Sequence, residues 1–288
     1  MKDFLGLFGR PLVRTVTSAV VTATIIALAS QAHAGGAQPQ LVIGGTGTAL
    51  GGMHLLAKAF SEDHPGIRTV VLPSLGSGGG IRALSAGKID LALSARPLKD
   101  EESAKGLSAT LYARTPVVFA THRKTASDRV DLEKLIRFYS GTVTSWPGGT
   151  PLRLVLRPED ESDTELLRGL SPEMDAAVAR ARTRGGLLVA VNDQDNAQAL
   201  ETVPGSLGLT TLAQILSESR RLKPLSFDGR TASVDGLRSG EYPFFKSLYL
   251  VLGNTPSDTV DTFVSYVFSR TGRNILTATG HDVAGPGR

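Results

Sequence analysis

Apolar and polar positions in the first half of this chain alternate between two periods, which predict strands followed by helices. Residues 41–43 form a short apolar run that is followed by two glycines, and apolar residues within 55–60 mark one face of a helix. Residues 67–72 then form a second strand, 81–84 a short helix and 89–93 a third strand. This alternation predicts an α/β fold with a mostly parallel sheet flanked by helices.

The second half shows the same alternation and predicts a second lobe. It contains predicted strands at 116–120, 152–156 and 244–252, and predicted helices at 131–138, after Ser162, at 172–182 and at 260–268. We expect the chain to cross twice between the lobes, near residue 120 and near 235–245. Lobe 1 would comprise residues 35–120 and 240–288, and lobe 2 residues 121–239. Two lobes and two connections permit a hinge.

The first 34 residues have the pattern of an export signal. Lys2, Arg10 and Arg14 form a basic head, residues 16–28 are apolar and small, and Ala32-His33-Ala34 fits the small-x-small rule for signal peptidase. We therefore expect a cleavable signal that ends near Ala34 and a periplasmic protein. An uncleaved membrane anchor is the alternative.

Composition excludes several classes of function. The chain has no cysteine, so neither a lipid-modified cysteine nor a disulfide framework is available. Its formal net charge is +4 and the signs are mixed along the chain, without the basic run that nucleic acid binding would need. The histidines do not have the spacing of metal ligands. We expect no cofactor and no nucleic acid partner.

Three segments place small or hydroxyl-bearing residues where a predicted strand ends and a helix begins. They are Thr46-Gly47-Thr48, Ser77-Gly78-Gly79-Gly80 and Ser162-Asp163-Thr164, the last of which begins five residues after Arg157. Unpaired N–H groups at a helix start can hold an anion, and arginine can add a bidentate contact. Convergence of these segments on Arg157 would form an oxyanion pocket, to which Ser94 and Arg96, just after the third strand, could contribute.

Each segment also has an explanation that involves no oxyanion. Gly45-x-Gly47 resembles a dinucleotide fingerprint, although Gly51 lies one residue too late. The three glycines after Ser77 could form a plain flexible loop. Ser162 and Glu165 have the spacing of a capping box, which would satisfy the N–H groups of its own helix. A serine nucleophile, at Ser77 or Ser162, would need a base brought close by the fold.

Several stretches, taken together and in order, resemble the periplasmic phosphate-binding proteins that feed ABC importers. They are Gly44-Gly45-Thr46-Gly47-Thr48, residues 76–84 (GSGGGIRAL), residues 87–98 (GKIDLALSARPL), Tyr139-Ser140-Gly141 with Trp146, the 157–164 loop, residues 204–208 (PGSLG), and Tyr242-Pro243. The resemblance covers nearly all of the chain after the signal.

The resemblance implies a two-lobed, type II periplasmic-binding fold that closes on an oxyanion. Thr48, Ser77 and Ser94 match the anion-binding hydroxyls of the first lobe, and Arg157, Ser162 and Thr164 the contribution of the second. The full expected ligand-binding set is Thr46, Gly47, Thr48, Ser77, Gly78, Gly79, Ser94, Arg96, Arg157, Ser162, Asp163 and Thr164.

Two positions depart from the family pattern. Ala95 stands where many members carry the aspartate that accepts a proton from hydrogen phosphate, and Asp163 stands where glycine is common. We hypothesise that Asp163 replaces the missing acceptor, which requires its side chain to point away from solvent.

The expected function is capture of an inorganic oxyanion, phosphate first, by a monomeric receptor that delivers it to an ABC permease in the inner membrane. A receptor for sulfate or molybdate, a sensor or attachment protein, and a periplasmic phosphoesterase remain as alternatives.

Overall fold

A computed structural model describes residues 38–285, and the predicted signal, residues 1–34, lies outside them. The strands are Gln40–Gly45 (β1), Arg68–Val71 (β2), Leu91–Ser94 (β3), Ser108–His122 (β4), Arg129–Val130 (β5), Arg153–Leu156 (β6), Leu188–Val189 (β7), Ser206–Thr211 (β8), Leu222–Pro224 (β9), Ser226–Phe227 (β10), Phe245–Leu252 (β11) and Asp282–Val283 (β12). The helices are Gly47–Asp63 (α1), Gly76–Ser85 (α2), Asp100–Ser103 (α3), Leu132–Ser140 (α4), Ser162–Arg168 (α5), Pro172–Thr183 (α6), Asp193–Thr202 (α7), Leu212–Ser217 (α8), Val234–Ser239 (α9), Asp258–Phe268 (α10) and Arg270–Ala278 (α11). Within this part of the chain no helix is long and apolar enough to span a bilayer.

The main sheet has the strand order β2-β1-β3-β11-β4-β8-β6-β7. Its outer pairings are parallel, whereas β11 and β4 pair antiparallel with all of their neighbours. β4 is 15 residues long. It pairs with β11 over residues 108–116 and with β8 over residues 117–121, so one strand belongs to both halves of the sheet.

The two largest of four hydrophobic clusters in the described residues lie on either side of the change of partner in β4. The first contains Leu41, Phe60 and Phe263, and the second contains Phe138 and Trp146. We call the elements on the β11 side of this change, which include α1 and α2, lobe 1, and those on the β8 side, which include α5 and α7, lobe 2. The predicted two-lobed α/β fold is confirmed. The expected limits of the lobes, at residues 120 and 240, stay a prediction.

The glycine run after Ser77 is helical, so the prediction of a loop there was wrong: α2 already begins at Gly76. A Cβ atom on Gly80 would lie 2.6 Å from Gly45 Cα, and one on Gly45, whose φ is 147°, would clash with the carbonyl of Leu93. Glycine at position 80 therefore lets α2 approach β1 closely, and glycine at position 45 leaves room for the neighbouring strand β3. That approach places the first turn of α2 at the edge of the cleft between the lobes.

Candidate functional site

Arg157 follows β6 directly, and its guanidinium lies at the centre of the candidate site. The side chain is buried, with Nε donating to Asp163 Oδ2 at 3.3 Å and Nη1 donating to the carbonyl of Ala190 at 2.7 Å. Nη2 lies 3.7 Å from Glu161 Oε2 and 3.7 Å from Asp193 Oδ2. One guanidinium from lobe 2 thus faces three carboxylates.

Asp193 reaches from lobe 2 to the first turn of α1 in lobe 1. Thr48 Oγ1 donates to Asp193 Oδ1 at 3.0 Å, and a Cβ atom on Gly47 would lie only 2.6 Å from Oδ2. The neighbouring Gln194 donates from Nε2 to the carbonyl of Gly47 at 3.0 Å. Asp193 is also the first residue of α7, so its carboxylate lies between the positive ends of two helices.

Glu161 approaches the second helix start of lobe 1. Its Oε1 would lie 3.5 Å from a Cβ atom on Gly76, the first residue of α2. Burial raises the pKa of the Glu161 carboxyl above its ordinary value; the nearby Asp193 and Asp163 charges raise it further, and Arg157 opposes them. The two helix starts of lobe 1 are therefore each met by a carboxylate that also faces Arg157.

Lys246, on β11, supplies a second buried cation. Its Nζ lies 2.5 Å from Asp163 Oδ1. Burial acts to lower the pKa of the Lys246 ammonium, but the Asp163 and Asp193 charges outweigh it and hold that pKa above the ordinary value. Asp163 is turned inward, as our hypothesis requires. Both of its oxygens, however, already face cations, Lys246 and Arg157.

Ser77 is placed with its hydroxyl proton available. Its Oγ, in the first turn of α2, accepts from the backbone N–H of Ala95 at 2.9 Å, which leaves the hydroxyl free to donate. Gly78 and Gly79 lie in the same turn, beside the guanidinium of Arg82, whose Nη1 would be 3.2 Å from a Cβ on Gly78. Thr46 precedes α1 and donates its N–H to the carbonyl of Leu93.

Three other expected ligand-binding side chains have different partners. Ser94 Oγ donates to the carbonyl of Arg96 at 2.6 Å, and Thr164 Oγ1 donates to the carbonyl of Pro158 at 2.8 Å. The guanidinium of Arg96 binds Glu102 through two nitrogens, at 2.7 and 2.8 Å, and this contact lowers the pKa of Glu102 to about 2. These groups stabilise their own loops.

The predicted capping box at Ser162 is wrong. The residue that precedes α5 is Glu161, no side chain caps this helix, and Ser162 is its first helical residue. The difference arises because the loop after β6 is long enough for Glu161 to turn into the cleft, while Asp163 packs on Arg157.

The site holds three carboxylates and two cations. Arg157, Asp163, Asp193 and Lys246 are buried and Glu161 is partly buried, so their mutual pairing is required to offset the loss of water. Within residues 38–285 no group of histidine and carboxylate side chains is arranged to hold a metal ion.

Sequence reasoning missed Glu161, Asp193 and Lys246. A signal existed for Lys246 alone: it stands in phase with the buried Leu248 and Leu250 along β11, so the alternation of the strand points it inward.

Comparison with known proteins gives a consistent result. A model of the PBP superfamily domain matches residues 30–271. The phosphate-binding protein PstS of Borreliella burgdorferi is 22% identical over 218 residues, which cover 73% of this chain and 78% of that protein.

Solved structures share the fold. A candidate phosphate ABC transporter substrate-binding protein from Clostridium perfringens, solved with bound phosphate, superposes with a TM-score of 0.71 at 17% identity and covers 85% of this chain and 99% of its own. An ABC-type phosphate transport receptor from Vibrio cholerae superposes with a TM-score of 0.57 at 17% identity, covering 84% and 98%. Because the family model spans most of the sequence and the two-lobed fold agrees with it, the chain belongs to the PBP superfamily.

Proposed function

We propose that this protein is a receptor for an inorganic oxyanion, phosphate in the first place, and that it delivers this ligand to an ABC permease. The observation that carries the proposal is the convergence of two helix starts of lobe 1 on the buried Arg157 of lobe 2. Carboxylate oxygens of Asp193 and Glu161 lie between these donors. The same positions suit the oxygens of a tetrahedral anion.

In the proposed mechanism the anion bridges the lobes. The hydroxyls of Thr48 and Ser77 and the first N–H groups of α1 and α2 bind it from lobe 1, and Nη2 of Arg157 binds it from lobe 2. A ligand that contacts both lobes binds the closed form more tightly, and this difference in affinity drives closure. No covalent step is required, and the similar proteins include a phosphate-binding protein and a phosphate transport receptor.

The remaining features are part of the same proposal. Residues 1–34 would be removed as an export signal, and the mature chain would act as a periplasmic monomer. Its lobe 1 would comprise residues 35–120 and 240–288, and lobe 2 residues 121–239.

The test is a melting-temperature screen of protein stripped of ligand, against phosphate, arsenate, sulfate and molybdate. A receptor should gain about 2.7 kcal/mol at a hundredfold excess of ligand over the dissociation constant. We expect phosphate to give the largest shift, and we expect Arg157→Lys and Ser77→Ala to lose most of it. Arg153→Lys, at the exposed start of the strand that Arg157 follows, is the matched control and should keep the full shift.

The outcomes separate the alternatives. A larger melting-temperature shift with sulfate or molybdate would identify that anion, and not phosphate, as the ligand. Turnover of a chromogenic phosphoester would indicate an enzyme. A protein that binds phosphate but whose deletion leaves phosphate uptake unchanged would be a sensor. No shift with any oxyanion would refute the proposal.

A further inference from the structure

The carboxylate of Asp193 takes up the donors that an oxyanion in this cleft would need. Thr48 has a single hydroxyl proton, and it is donated to Asp193 Oδ1. The backbone of Gly47 abuts Oδ2, and Nη2 of Arg157 lies 3.7 Å from the same oxygen. One side chain therefore contacts both lobes at the position where the proposed ligand would join them.

This carboxylate does not cap its own helix. The cap of α7 is Asn192, whose side chain accepts from the backbone N–H of Asp195 at 2.8 Å. The side chain of Asp193 is thus not needed as a hydrogen-bond acceptor for the backbone N–H groups in the first turn of α7. Its burial goes with two contacts outside α7, the hydrogen bond from Thr48 across the lobes and the ion pair with Arg157.

We propose that Asp193 is a built-in anion that holds the lobes together and competes with an oxyanion ligand for Thr48 and Arg157. The competition rests on the proposed function, whereas the closure by Asp193 does not depend on any ligand.

The charge of the site supports the competition. Glu161, Asp163 and Asp193 face Arg157 and Lys246, so the cluster already holds one negative charge more than it holds positive. An oxyanion seated between Thr48 and Arg157 would lie within a few ångströms of Asp193 and would be repelled by it. Binding therefore exchanges an internal anion for an external one, and affinity is lower than the donors alone would provide.

A different role for Asp193 would be to accept a proton from a bound hydrogen phosphate. The two roles predict opposite effects on binding. Loss of the Asp193 carboxylate tightens phosphate binding if it competes, and weakens phosphate binding if it accepts the ligand proton.

The experiment compares Asp193→Ala with Asp195→Ala, a control that removes an exposed carboxylate from the same first turn. Calorimetric titration with inorganic phosphate should show about tenfold tighter binding to Asp193→Ala, the effect of removing one partly screened like charge, and no change for the control. Asp193→Asn retains the size of the side chain and should also bind phosphate more tightly. Equal or weaker binding by both Asp193 variants would overturn the competition.

Closure is measured separately, by small-angle X-ray scattering of protein stripped of ligand. We expect a larger radius of gyration for Asp193→Ala and for Thr48→Val, which removes the lobe 1 donor without changing the charge. Unchanged scattering by both variants would overturn the inference that Asp193 holds the lobes together. If no variant and no wild-type sample binds any oxyanion, the proposed function fails, while the scattering still decides whether Asp193 holds the lobes together.

Discussion

Replacing Lys246 with methionine should destabilise the protein far more than replacing a second lysine that makes a similar ion pair at the surface. Lys246 Nζ lies 2.5 Å from Asp163 Oδ1, and the two side chains are 5% and 2% exposed. Lys223 Nζ lies 2.7 Å from Asp128 Oδ1, but these side chains are 29% and 87% exposed. The two pairs therefore differ mainly in burial.

Burial determines the size of the expected loss. Removing one partner of a buried ion pair leaves an uncompensated charge in a low-dielectric environment and costs about 3–5 kcal/mol. In Lys246→Met, Asp163 retains Arg157 as a partner, which places the expected loss near the lower end, about 3 kcal/mol. Water screens Asp128, so Lys223→Met should lose only a small fraction of this stability.

The assay is urea denaturation at neutral pH of the wild type, both single variants and the double variant Lys246→Met/Asp163→Asn. The double variant has no unpaired charge at position 163, so it should be more stable than Lys246→Met alone. Equal losses for Lys246→Met and Lys223→Met, or no recovery in the double variant, would refute the reasoning.

Three further predictions concern close packing and pH. Gly80→Ala should lose about 1–3 kcal/mol in urea denaturation, because its Cβ would lie 2.6 Å from Gly45 Cα, whereas Gly66→Ala, with nothing within 4 Å, should lose none. Burial raises the pKa of Glu161, so folding favours its protonated form. The stability that this preference contributes is lost as pH rises from the unfolded pKa through the folded pKa. Glu161→Gln should therefore melt at a higher temperature than the wild type at mildly alkaline pH. The pH dependence of the contribution of Glu102 to stability has the opposite sign, because its folded pKa of about 2 lies below the unfolded value. That contribution is lost as pH falls through the folded pKa. In a pH series of melting temperatures, Glu102→Gln should lack this acid-induced loss.

The sequence alone predicted the part of the candidate site that depends on the order of strands and helices along the chain. Arg157 stands directly after an apolar strand, and in an α/β fold the ends of parallel strands face the ligand. Thr48 and Ser77 stand at helix starts for the same reason. Such positions follow from the alternation of strands and helices within each lobe and need no knowledge of how the lobes meet.

The acidic half of the site could not be predicted in this way. Asp193 meets Thr48 across 145 residues of sequence, and the contact exists only because two lobes close on each other. In the sequence, Asp193 stands beside Asn192 among polar residues that are typical of a helix cap. Glu161 likewise stands among acidic loop residues that are usually exposed to solvent.

The glycine run shows a third kind of difference. Three consecutive glycines indicated a loop, because glycine disfavours helix by about 1 kcal/mol relative to alanine. Packing outweighed that preference, since only glycine at position 80 allows α2 to contact β1 so closely. The local free-energy cost of placing glycine in a helix was offset by a contact between two elements that are distant in sequence.

β4 constrains how the two lobes can turn relative to each other. Its partner strand changes from β11 to β8 after Pro116, a residue with no backbone N–H, and the next N–H, that of Val117, donates to the carbonyl of Phe244 at 2.9 Å. Residues before and after this proline are held in separate ladders, and rotation is therefore concentrated in the few backbone torsions next to it. A continuous strand resists large rotation elastically, so it should limit the angular range of the lobes and return them to one resting orientation after each excursion.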